Sequence, residues 1–207
     1  MYVPEPFRDE DLSSLHATMR AATLANLVTC GADGPVATPL PLVLDPEQGP
    51  MGTLHGHFAR ANPQWRCADG APALAVFMGP DAYVTPSWYA TKRATGKVVP
   101  TWNYVTVQAA GPLEVFDDPA RLRAHVERLT EAHEAGREAP WAVRDAPDTY
   151  LAAMLRGIVG VSLRIERLEG SRKLSQNRSV EDRAGVADGL AASGRAGDRT
   201  LAPLVPR

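Results

Sequence analysis

Cysteine is scarce in this sequence. Cys30 and Cys67 are the only two among 207 residues, and neither has a second cysteine or a histidine at metal-ligand spacing. That argues against a disulfide framework or a zinc knuckle and leaves buried free thiols as the plainer expectation. Long apolar runs are missing too: no stretch approaches the roughly 20 consecutive apolar residues of a membrane span. The opening MYVPEPFRDEDL has neither the basic nor the apolar region of a signal peptide, so a cytoplasmic location is expected. Positive charge is not in excess, with 22 Lys and Arg against 24 Asp and Glu and a formal net charge of -2. No global field gathers nucleic acid or an anionic membrane surface, and a DNA role would need a local patch or a partner. Helix-turn-helix signals, paired carboxylates and nucleophile–base pairs are likewise not evident.

What is present is enough apolar material, 44% of residues, to bury one sizeable core. Leu12, Leu15, His16 and Met19 recur at three- and four-residue spacing, which predicts an amphipathic helix. LANLVT, Val36 to Leu44 and Met51 to His57 read as successive strands separated by the turn clusters GADGP and DPEQGP. ALAVFMG is an apolar strand. Asp81 to Thr101, with Pro86, Gly96, Pro100 and the cations Lys92, Arg93 and Lys97, reads as a long surface loop. Trp102 to Phe116 returns to strand composition, Asp118-Pro119 starts a helix, a second helix begins near Pro147, and IVGVSLRIERLEG closes as one long strand. Strands crowd the first half and helices the second, the pattern of an α+β barrel rather than of alternating βαβ units.

Four segments are dense in polar and aromatic residues where a core does not need them: GTLHGHFARANPQW, GPDAYVTPSWY, VPTWNY and SRKLSQNR. At strand spacing His55 and His57 share a face, with Arg60 and Asn62 at the strand's end. An arginine fork, an imidazole and free backbone N–H groups suit a phosphate, although His57 and Arg60 serve equally to satisfy loop carbonyls. The two histidines resemble a metal-ligand pair, but no third ligand sits nearby, so no metal is expected. TPSWY and PTWNY set aromatics beside hydroxyl and amide groups, which fits a flat heterocycle, or else Trp88 and Trp102 are ordinary core residues. In SRKLSQNR, Arg172, Lys173 and Arg178 alternate with Ser175, Gln176 and Asn177, either as an anion and edge-recognition loop or as a solvated turn.

In this order these segments, together with MYVPEPF, LRGIVGVSLRIERLEG and the VEDRAGVADGL helix, resemble the PaiB family of FMN-binding negative transcriptional regulators. The resemblance implies an α+β split β-barrel like that of flavin-binding, pyridoxamine-phosphate-oxidase-type proteins, and a homodimer with FMN at the subunit interface. It places the FMN phosphate near His57 and Arg60, with Asn62 beside them and Lys173 or Arg178 as further donors. The isoalloxazine falls near Thr85, Trp88, Tyr89, Trp102 and Asn103, and Gln176 offers edge recognition. Residues 1–190 are expected to form a single FMN-binding domain and residues 191–207 a disordered tail. Two activities follow: a flavin- or redox-sensing repressor, with Lys92, Arg93 and Lys97 available to DNA phosphates, or an FMN-dependent oxidoreductase with the flavin as reactive centre. No catalytic side chain is assigned.

Overall fold

The computed structural model describes every residue except Thr23. From the N-terminus, strand β1 (Arg8–Asp9) leads into helix α1 (Leu12–Ala21), whose Leu15, His16 and Met19 are buried as the spacing predicts. A run of strands follows: β2 (Ala25–Gly31), β3 (Gly34–Leu40), β4 (Val43–Asp45), β5 (Thr53–Ala59) and β6 (Pro72–Val84). Helix α2 (Ala90–Thr95), strand β7 (Thr101–Phe116), helices α3 (Pro119–Glu134) and α4 (Asp148–Leu155), strands β8 (Ile158–Arg164) and β9 (Arg167–Lys173), and helices α5 (Val180–Ala191) and α6 (Ala196–Leu201) complete the order. Hydrogen-bonded neighbours run β3-β2-β6-β7-β8-β5-β4, and β9 pairs β1 and β7. This is an antiparallel α+β arrangement: β2 pairs antiparallel with β3 and β6, and β5 with β4 and β8.

Contacts divide the chain into two compact units. Unit 1 takes Met1–Thr18, Met78–Val107 and Glu169–Arg207, and unit 2 takes Met19–Phe77 and Gln108–Leu168.

Unit 1 is built around Ala82, Val84, Tyr89, Val105, Leu190 and Leu201, all 3% exposed or less. Its helix α5 is capped by Ser179, whose side chain accepts the Asp182 N–H. Two corrections to the sequence reading fall here. Asp81 to Thr101 is no long loop: β6 runs on to Val84 with alternating burial, Thr85 caps a short 3-10 turn, and Ala90–Thr95 is a short helix, with Ala90, Lys92, Arg93 and Ala94 as its good helix formers, closed by Gly96 at φ 69°. The tail beyond Ala191 is ordered in this structure rather than disordered. Leu201 and Val205, four residues apart, bury themselves in the core, and Ser193 donates to Asp198 at 2.6 Å. Composition rich in Ala, Gly, Ser and Arg hid two apolar anchors that suffice to hold the segment down.

Unit 2 buries Leu27, Leu54, Phe58, Leu113, Leu122 and Leu163. Its first hairpin turns between Gly31 and Gly34, the latter at φ 105°, a conformation glycine adopts without a Cβ penalty. Gln64 is fully engaged: its amide donates to the Leu27 and Val36 carbonyls and to Thr29, tying β2 to β3. The expected long final strand is broken at Ile165 and Glu166, whose N–H groups turn to the Gly52 and Ala110 carbonyls. Cys30 and Cys67 are exposed, not buried.

Candidate functional site

In unit 1 an aromatic strip lies open on β6 and β7. Trp102 is 49% exposed and Tyr83 44%, and their rings meet edge to face with centroids 5.8 Å apart. Tyr104 follows Trp102 on the same face of β7. The Lys173 ammonium sits 6.0 Å from the Tyr104 ring and 5.9 Å from that of Phe7, and donates to Thr101 at 2.7 Å. Met78, 52% exposed, extends the strip where Thr106 contacts its sulfur at 3.5 Å. A solvent-facing aromatic pair, with a cation beside the next ring of the strand, suits flat, anionic molecules.

Asn103 faces the other way. It is fully buried and hydrogen-bonds Ser175 at 3.0 Å. Ser175 holds φ 65°, the one non-glycine residue in the left-handed region among the described residues. The Gln176 side chain braces this turn, accepting the Leu174 N–H at 2.7 Å and donating to the Arg172 carbonyl at 2.5 Å. Such a strained, over-braced turn costs on the order of 1 kcal/mol and persists where its geometry is used. Arg178 lies over the Tyr89 ring at 5.0 Å. Tyr89 is fully buried and its hydroxyl has no hydrogen-bond partner; burial pushes that phenol up, against the pull of Arg178. Trp88 packs on α5, where any side chain at Gly185 or Gly189 would strike it. It is a packing residue here, and Thr85 is a cap.

In unit 2 the strand-face prediction holds, since His55 and His57 alternate with buried Leu54, Gly56 and Phe58 on β5. The His57 Nδ1 meets His125 Nε2 at 2.9 Å. Burial lowers the His57 imidazole, and burial together with the adjacent His57 takes His125 down to about 4. Arg60 is heavily committed. Its guanidinium grips Asp117 with both Nη atoms and also donates to the Arg156 and Ile158 carbonyls, so the carbonyl-satisfying role weighed from the sequence is present. Asn62 caps the turn Pro63–Cys67 by accepting the Gln64 N–H. His57, Arg60 and Asn62 thus belong to unit 2, and the other eight predicted residues to unit 1. Of those eight, Trp102 and Lys173 share the strip, while Asn103 and Gln176 build the turn behind it.

The sequence reading missed Tyr83, Tyr104, His125 and Asp117. His125 carried a signal, standing three residues after Leu122 and four before Leu129 on the face that turns inward. Tyr83 and Tyr104 stand inside the quoted motifs but acquire meaning only once β6 and β7 lie side by side. Among the described residues no group of three or more His, Cys, Asp or Glu could hold a metal ion.

These features sit on a recognisable fold. The structure matches that of the FAD and heme binding protein from Mycobacterium smegmatis with a TM-score of 0.61, at 19% identity, over 86% of this chain and 78% of that one. The fold is an α+β split β-barrel. The family model described as "Putative FMN-binding domain" matches residues 1–167. The chain is 31% identical to the Bacillus subtilis (strain 168) "Protease synthase and sporulation protein PAI 2" over 92% of its own length and 89% of that protein. It is 32% identical to a protein of Emericella nidulans over 99% of its length and 96% of the relative. The chain therefore belongs to the PaiB family of FMN-binding proteins, and the cofactor that goes with this membership is FMN. Lys173, Gln176 and Arg178 lie beyond the segment that the family model matches. No helix among the described residues is long and apolar enough to cross a membrane.

Proposed function

We propose that the protein is a cytoplasmic, FMN-binding negative regulator of transcription that works as a homodimer and senses flavin or its redox state. The observation that carries the flavin part is the open strip of unit 1. Tyr83 and Trp102 offer faces to the isoalloxazine, and Lys173 is the cation on hand for the phosphate. Met78, Tyr83 and Trp102 are large apolar side chains left half exposed on this strip, which supports a two-fold contact over it. Bound there, FMN supplies electron and hydride chemistry, while the chain orients the ring and screens it from water. In unit 2, Arg60 is the alternative anchor for that phosphate, in exchange for the carboxylate of Asp117.

For DNA, the exposed cations are Lys92 and Arg93 on α2 and Lys97 just after its cap. They can neutralise phosphates but are too few to read bases. A salt titration of operator-length duplex against FMN-loaded protein tests this: binding that weakens steeply with salt and drops in a Lys92→Gln, Arg93→Gln, Lys97→Gln triple variant supports repression through these groups. Absence of binding at low salt removes the direct-repressor reading. A flavin-dependent oxidoreductase is the second reading, favoured by the openness of Trp102 and Tyr83, which would leave a ring seated there reachable by a reductant. Anaerobic bleaching of the bound flavin by NADH or NADPH supports it.

A further inference from the structure

A second site, independent of where the flavin lies, is built into unit 2. Between β4, β5 and α3 there is a cavity of about 200 Å³, bordered by Gln48, His55, Phe116, Arg121, His125 and Arg128. Its charged and polar lining is two guanidinium groups, two imidazoles and an amide, with no carboxylate among them. The carboxylates that balance them stand behind this lining. Glu114 takes Arg121 in a two-pronged contact at 2.7 and 3.0 Å, and Asp45 takes Arg128 by one contact at 3.2 Å. Arg121 is further held over the Phe116 ring at 4.0 Å, so it is a fixed wall, whereas Arg128 hangs on a single long contact.

His125 is the group that points to a ligand. It is 5% exposed, and its Nε2 is spent on His57, which does not border the cavity. The other ring nitrogen, Nδ1, is buried without a hydrogen-bond partner. A buried polar atom left so is uncommon in folded proteins. If His57 donates to Nε2, the neutral ring of His125 carries its proton on Nδ1, a donor lacking an acceptor. No carboxylate borders the cavity to supply that acceptor.

We propose that this cavity takes a small oxyanion, a carboxylate or inorganic phosphate, which accepts from His125 Nδ1 and from Arg128 as Arg128 releases Asp45. Asp45 is therefore a built-in competitor for the site, and His57 a positioning residue that fixes the tautomer of His125.

The test is a titration of the FMN-loaded, 15N-labelled full chain with inorganic phosphate and, separately, acetate, read at the imidazole nitrogens. The expected result is a saturable shift of the His125 ring, with the tighter of the two anions naming the class. Asp45→Asn, which frees Arg128, tightens binding several-fold, and Arg128→Gln weakens it by at least about tenfold, the loss of one charged hydrogen bond. Both substitutions are at partly exposed side chains, and the wild-type shift stands whether or not either variant folds well. No saturable movement of His125 with either anion overturns the proposal. So does unchanged affinity in both variants, and so does release of flavin fluorescence in step with phosphate binding, because the cavity would then be the cofactor's own phosphate pocket.

Discussion

The His57–His125 pair makes the stability of unit 2 depend on pH in a window where few other groups titrate. His125 is buried and lies at about 4 against an ordinary 6.5. The unfolded chain therefore binds a proton that the folded chain refuses, so stability rises with pH through this range and is lost as pH falls from about 6.5 towards 4. A shift of this size corresponds to roughly 2 kcal/mol lost between about pH 7 and about pH 5. Glu114 and Asp117, which their arginine partners hold below the ordinary carboxylate range, lose their contribution only at lower pH, so they do not confuse the window. His55 and His57 are also lowered, mainly by burial, and add in the same direction. The assay is urea unfolding of wild type and His125→Phe at stepped pH between these limits. The variant is expected to be less stable than wild type at neutral pH, having lost the bond to His57, and to show a clearly shallower decline on acidification. Parallel curves for the two proteins would refute the reasoning, because the proton would then be refused somewhere else.

The remaining predictions use the same geometry. Gly189→Ala, which in an exposed helix would help by up to about 1 kcal/mol, should here cost about 1 to 3 kcal/mol and shift tryptophan fluorescence, since the added methyl meets the Trp88 indole; a stabilised variant would place Trp88 elsewhere. Leu201→Ala should cost about 2 to 5 kcal/mol by calorimetry and expose the C-terminal segment to protease, whereas an unchanged melting temperature would return that segment to disorder. Trp102→Ala should leave stability within about 0.5 kcal/mol yet weaken FMN binding and restore quenched flavin fluorescence; normal flavin titration in this variant moves the ring off the strip. Arg60→Ala should weaken FMN binding by at least about tenfold if a phosphate takes the fork now held by Asp117, and an unchanged Kd confines Arg60 to its structural clamp.

How far the sequence can be read depends on whether each signal is local. Strands β2 and β5 follow from period-two patterning and glycine turns, and the start of α3 from Asp118 before Pro119, because each rests on interactions a few residues apart, whereas Val36 to Leu44, read as one strand, is split into β3 and β4. Asp81 to Thr101 deceived because prolines and lysines mark loops in general, while here polar residues merely occupy the outward positions of a strand and a short helix. The C-terminal segment deceived for the opposite reason. Its average composition is that of a flexible tail, yet two residues, Leu201 and Val205, decide the outcome, and they share their cluster with residues of β6 and β7, far away in sequence, as well as with nearby α5.

The same distinction runs through the site. Trp102 and Lys173 stood out as residue types that a core does not need, and they do share one open strip; Trp88 stood out equally and is packing. What separates them is the pair of glycines on α5, at which any side chain would strike Trp88, while Trp102 is half exposed. Arg60 was visible as an arginine at a strand end, but the residue that engages it, Asp117, lies across the sheet from it and looks like half of an ordinary helix cap in sequence. A residue's type states what chemistry it can do, and only the neighbours delivered by the fold decide whether that capacity is already spent. By that measure the unspent groups among the described residues include the open rings of Tyr83 and Trp102 and the buried Nδ1 of His125. These are the places at which added ligand should change the protein most.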